Sequence, residues 1–250
     1  MTNVRIFFVF FLLGVSASNL FSQSEPEPNS HWLLISGGMN IPTSSFSNST
    51  SFDITNGKGY KKSGAQFSIS YCPMSKKQGL ITTFFINSNG FDGKQYSTDN
   101  SISLPPSVAI GSEWKTLGLL TGYYRRFVFS GNESFAIDMK IQGGLLFGNS
   151  PVRELRFDFS PYQYDDRNSS ESWSTGMMGL AGVGANYKLG KNYALRLGLD
   201  YTIGRIDHVV ETSDHSVNAS PFTNTTQNTV SILTSQYWGM NISLGFRINL

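Results

Sequence analysis

Seven polar side chains lie an even number of positions apart within segments otherwise rich in apolar residues. They are Asp138, Lys140 and Gln142 in one segment, Arg196 and Asp200 in another, and Arg247 and Asn249 in the last. In an extended strand, residues two apart share a face, so each set projects to one side of its segment. Opposite charges gathered away from water can pair and fill an enclosed space. Alternatively, they can line a path for small solutes. The expected role is a structural polar plug, with a narrow channel as the alternative.

A second set lies in Arg153–Asp166, which reads RELRFDFSPYQYDD. Arg153, Arg156, Phe157, Phe159, Tyr162 and Tyr164 mix cationic and aromatic groups, the residue types that anchor interfaces. Leu155, Phe157 and Phe159 alternate as in a strand, so the fifth and sixth strands are expected to project outward as a hairpin, which either binds an extracellular partner through its edge and aromatics or packs as a rigid hairpin against the other loops.

Enzymatic groups are sparse. The histidines are His31, His208 and His215. Asp207 precedes His208 and Asp214 precedes His215, but adjacency in sequence does not make a catalytic dyad, because orientation comes from the fold. There is no G-x-S-x-G, H-E-x-x-H or phosphate-binding loop. No catalytic residue, cofactor or metal-ligand set is assigned, and the chain is not expected to be an enzyme; a lipid-modifying barrel enzyme is a distant alternative. The single cysteine, Cys72, excludes an intrachain disulfide and is expected to be a buried structural thiol. The net charge of +2 carries no basic stripe, so nucleic acid is not an expected partner.

The elements that must position these residues are strands. From Trp238 to Leu250 every even position is apolar and every odd one is small or polar. The same period of two runs through 193–204, 135–148, 177–189 and 65–72, and less cleanly through 32–41, 79–87 and 113–124. Helical spacing would scatter these side chains around an axis. Eight strands result, and the run Leu117-Gly118-Leu119-Leu120 is apolar on both faces. Short gaps (73–78, 125–133, 190–192) alternate with long ones (42–64, 88–112, 149–174, 207–235). An up-and-down barrel with all turns at one end and all long loops at the other satisfies this order. The long gaps rich in Ser, Thr and Asn, such as Asn218–Asn228, are expected to be solvated loops.

Composition orients the faces. Charged residues make up only 14% of the chain, where a soluble surface carries about 25–35%. The polar faces hold Gly, Ser, Asn and Thr, which suit a narrow filled interior. The apolar faces are nearly free of charge, as lipid contact requires. A soluble ligand-binding barrel would reverse this arrangement.

Residues 1–22 read as a cleaved secretory leader: Arg5, an apolar run at Ile6–Val15, then Ser16, Ala17 and Ser18. The run is shorter than the roughly 20 residues of a spanning helix. Residues 23–30 form a linker, and 31–250 the barrel.

The chain resembles the outer-membrane β-barrel domain family of small Gram-negative envelope proteins. The resemblance is carried by Gly37–Pro42, Leu120–Phe127, Gly182–Tyr187, Ala194–Tyr201 and the C-terminal strand. It departs at the terminal residue, Leu250, where the family carries an aromatic; Phe246 is the nearest aromatic on that face. The resemblance implies an all-β, eight-stranded antiparallel transmembrane barrel in the cell outer membrane with periplasmic termini. It implies a monomer whose partners are outer-membrane lipids and, during insertion, the barrel-assembly machinery.

Overall fold

The computed structural model describes residues 31–43, 60–73, 78–99, 108–129, 132–160, 163–219 and 222–250. The expected leader and linker lie outside the described residues. The strands are β1 (Trp32–Pro42), β2 (Lys61–Cys72), β3 (Gln78–Phe91), β4 (Val108–Gly111), β5 (Trp114–Phe129), β6 (Asn132–Ser150), β7 (Arg153–Ser160), β8 (Gln163–Ser169), β9 (Ser172–Lys188), β10 (Tyr193–Ala219) and β11 (Phe222–Asn249). One short helix, α1 (Gly93–Asp99), follows β3.

Eight of these strands form a closed antiparallel ring in the order β1-β2-β3-β5-β6-β9-β10-β11, with β11 returning to β1. The chain is an eight-stranded up-and-down β-barrel. Its stagger can be read from the register. Starting at Ile35, paired residues run through Ile69, Phe84, Leu119, Leu145, Met177 and Arg205 to Gln236. Ile35 itself pairs with Phe246, ten residues further along β11. That offset tilts the strands by roughly 40° and leaves an interior just wide enough for side chains.

The period-two pattern has the orientation that composition required. Ile242, Leu244 and Phe246 face out, while Asn241, Ser243 and Arg247 are buried inside. Register also resolves the apolar doublets: Leu119, Leu145 and Met177 point outward, and their neighbours Leu120, Leu146 and Met178 point into the barrel. Aromatic pairs bound the outer apolar belt. Tyr193 stacks on Phe246 at 5.5 Å near the end that carries the termini. Phe147 with Trp173, and Tyr201 with Trp238, mark the other side.

The two ends differ. At one, the amide of Leu250 donates to the His31 carbonyl and that of Asn249 to the Asn192 carbonyl, so the short turns and the C-terminus meet there. At the other, β10 and β11 stay paired as far as Ala219 and Phe222. The fourth long gap is therefore largely strand, including most of the stretch expected to be a solvated loop. The third gap folds into β7 and β8, a hairpin that pairs with β10 rather than simply prolonging the fifth and sixth barrel strands. With β4 added, a sheet of order β11-β10-β8-β7-β4 stands above the barrel. At its foot Tyr60, Phe91 and Tyr96 of α1 form an aromatic cluster with centroids 5.0–5.9 Å apart. Gly111 of β4 passes beneath Phe91, where a Cβ would enter the ring.

Candidate functional site

The interior is layered. At the terminal end Trp32, Leu34, Cys72, Ile81 and Tyr124 form one apolar cluster. Above the middle, Phe85, Leu120, Leu146, Met178 and Leu180 begin a second, which continues upward to Ile206, Trp114 and Tyr237. Polar side chains occupy the space between.

The middle layer contains most of the expected cluster. Arg196 presents its Nε and Nη2 edge to Asp138, with hydrogen bonds of 2.9–3.2 Å. Asn186 donates to the other side of the same carboxylate at 2.7 Å. Lys140 pairs with Asp200 at 3.0 Å, and both are buried. Gln142 donates to the Ile81 carbonyl and to Thr83. Wall glycines make room: a Cβ on Gly184 or Gly198 would meet the Arg196 guanidinium, and one on Gly182 would meet Asp200. A buried pair of this kind gains Coulomb energy only against a large desolvation cost, and loss of one partner strands the other charge.

Arg247 and Asn249 lie lower. Arg247 donates to the Tyr124 hydroxyl at 2.9 Å and to Asn249 at 3.1 Å, and its guanidinium lies 4.6 Å from the Trp32 ring centroid. The seven expected residues thus form a middle layer and a basal one. Asn186 and Tyr124 complete them; Tyr124 lies on β5, a few residues beyond the run that is apolar on both faces, and sequence alone left its face open.

The six loop candidates separate. Arg153, Leu155 and Phe157 are buried on the inner face of β7. Arg156 is partly exposed and pairs with Asp158 at 2.9 Å. Tyr162 lies outside the described residues, and for Phe159 and Tyr164 only their places in β7 and β8 are described.

Burial of Arg153 creates a second cationic layer, at the mouth of the barrel beneath the tall sheet. Its guanidinium lies 5.7 Å from the Trp114 ring, and Trp114 meets Tyr237 edge-on at 6.3 Å. The Lys61 amine lies over the Tyr237 ring, 5.1 Å from its centroid. The Tyr237 hydroxyl lies 3.5 Å from His208 Nε2. Burial pushes the Lys61 amine down to about 7. It also lowers the Arg153 guanidinium, opposed by the nearby tyrosines Tyr96, Tyr60 and Tyr237. His208 is held down at about 4, first by burial and then by Arg153, against a backbone hydrogen bond with Ser172. These three positions were not legible as a cluster: Lys61 and His208 are separated by most of the chain.

Among the described residues no group of three His, Cys, Asp or Glu side chains is placed to hold a metal ion. No helix of the described residues is long and apolar enough to cross a membrane.

No protein-family model and no curated protein sequence matches the chain. Similar solved structures are small outer-membrane β-barrels. A major outer membrane protein from Thermus thermophilus is 11% identical with a TM-score of 0.46, covering 89% of this chain and 100% of that one. Neisserial surface protein A is 13% identical with a TM-score of 0.41, covering 88% and 99%. Ail, the attachment invasion locus protein of Yersinia pestis, is 11% identical with a TM-score of 0.42, covering 89% and 100%.

Proposed function

We propose that the chain is an integral outer-membrane β-barrel that holds a sheet above the membrane for contact with an extracellular partner. The outer surface supports the membrane placement. About ten residues per strand, every second one facing outward and the strand tilted by about 40°, span about 25 Å of apolar wall between aromatic girdles, the height of such a belt. Lipids of the outer membrane contact that wall, assembly machinery inserts it, and the termini face the periplasm. The expected state is a monomer.

The observation that carries the interaction reading is the tall sheet. On its outer face Val209, Val230 and Ile232 are 56–66% exposed, well beyond the Trp238 girdle. Val209 pairs with Ile232, so the three form one patch. Contiguous apolar side chains in water favour docking. A filled interior supports binding over transport or catalysis: Phe85, Leu120 and Leu180 lie above the paired charges, and Trp32 and Ile81 below.

A heat-modifiable mobility shift on isolated outer membranes, combined with protease shaving of intact cells, tests the placement. The barrel is expected to be membrane-embedded and the tall sheet cleavable from outside; recovery of the protein in the soluble periplasm overturns it. Adhesion of cells carrying the Val230→Asn, Ile232→Asn protein tests the role, with reduced binding expected. Planar bilayers containing the protein are expected to stay closed, and steady single-channel steps would favour the channel instead.

A further inference from the structure

We infer that Arg153 forms the centre of an oxyanion-binding site at the extracellular mouth of the barrel, for a carboxylate, phosphate or sulfate group. The residue is 8% exposed. Its Nε and Nη2 atoms are buried and make no hydrogen bond among the described residues. These two donors form one straight edge of the guanidinium, the edge that binds a carboxylate or phosphate through two parallel hydrogen bonds.

The same molecule shows that edge in use. Arg196 directs its Nε and Nη2 at Asp138 in the middle of the barrel. Among the described residues Arg153 has no carboxylate within ion-pair distance, although it too is removed from water. A buried guanidinium with an empty donor edge is costly. An anion entering from outside would remove that cost, and the gain would appear as affinity.

The surroundings fit a small oxyanion. Trp114 covers one side of the guanidinium. Tyr60, Tyr96 and Tyr237 lie close enough to act on its charge. His208 and Lys61 add nitrogen groups around the mouth. The Arg153 backbone is itself fixed: its amide donates to Ser169 Oγ at 3.0 Å, and its strand is flanked by β4 and β8. The edge is thus preorganised, which reduces the entropy cost of binding. This site lies inside the mouth and does not involve the outer apolar patch, so it stands whether or not that patch binds a partner.

The test uses the full chain folded in zwitterionic detergent, with Trp fluorescence and thermal unfolding followed at constant ionic strength. Sodium chloride is replaced stepwise by sulfate, inorganic phosphate or acetate. For the wild type, at least one oxyanion is expected to give a saturable fluorescence change and a rise of several degrees in the unfolding midpoint. Arg153→Lys keeps a cation but loses the two-donor edge, so its half-saturation concentration should rise at least tenfold. Arg153→Met should lose the response and, in chloride alone, unfold at the wild-type temperature or above. A saturable response that persists in Arg153→Met overturns the proposal, as does a wild type indifferent to all three anions. Adding a short-chain phosphatidic acid distinguishes the source. If it competes with free phosphate, the site accepts a lipid headgroup; if it does not, the ligand is a solute. An Arg153→Met protein too unstable to fold is replaced by Arg153→Gln, judged by the same two outcomes.

Discussion

Arg196 and Arg153 point their guanidinium edges away from water in the same barrel, one in the middle of the wall and one at the mouth. Arg196 closes on Asp138 and has Asn186 behind that carboxylate. Around it the wall is thinned by Gly184 and Gly198. Arg153 sits among aromatics, with two donors unsatisfied among the described residues. In the middle layer each charge meets its opposite, Arg196 with Asp138 and Lys140 with Asp200. The mouth is incomplete in a way that an external group can complete. Burial alone therefore does not distinguish Arg196 from Arg153; the carboxylate that the wall supplies to Arg196 does.

The largest effect should come from breaking the complete layer. Asp138→Ala strands Arg196 and is expected to cost about 3–5 kcal/mol in urea unfolding from lipid vesicles. Replacing both residues by leucine should recover much of that loss. If the double variant is no better than the single one, the pair contributes more than charge neutralisation and the contrast with the mouth weakens. Next comes Gly184→Val, which drives a side chain into the Arg196 guanidinium and should cost about 1–3 kcal/mol by overpacking. The equivalent change at Gly190, which has open space around it, should do far less.

A smaller effect is expected at the mouth, through pH. His208 is kept neutral, with its value lowered from 6.5 to about 4. The unfolded chain takes up a proton below about 6.5 that the folded chain refuses until about 4. The stabilisation is therefore complete above about pH 6.5 and drains away as pH falls toward about 4. Unfolding midpoints should drop over that window, and His208→Gln should flatten the drop. An unchanged slope in that variant would place the titration elsewhere. The smallest stability effect belongs to the tall sheet's outer face. Val230→Asn with Ile232→Asn should alter stability by no more than about 0.5 kcal/mol per site, while adhesion falls.

Much of the barrel was legible in the sequence because a strand's period of two is local. Trp238 to Leu250 declared its two faces without reference to any neighbour, and the sparse charge on the apolar face indicated which one looks outward. The order of short and long gaps located the two ends. The same reasoning picked out Asp138, Lys140, Arg196 and Asp200, since inward positions were already known.

The tertiary structure decided what those local patterns could not. The ten-residue stagger brings Asp138 of β6 against Arg196 of β10, a meeting that depends on tilt and closure rather than on either segment. Register assigned Leu120 and Met178 to the interior, where alternation left them ambiguous. Ser-, Thr- and Asn-rich residues around 218–228 became strand because β10 and β11, already paired in the wall, continued to satisfy each other's backbone groups beyond it. Placing β8 on β10 then turned Arg153 inward. Its sequence shows an arginine beside aromatics; only the fold removes it from water without giving it a carboxylate among the described residues.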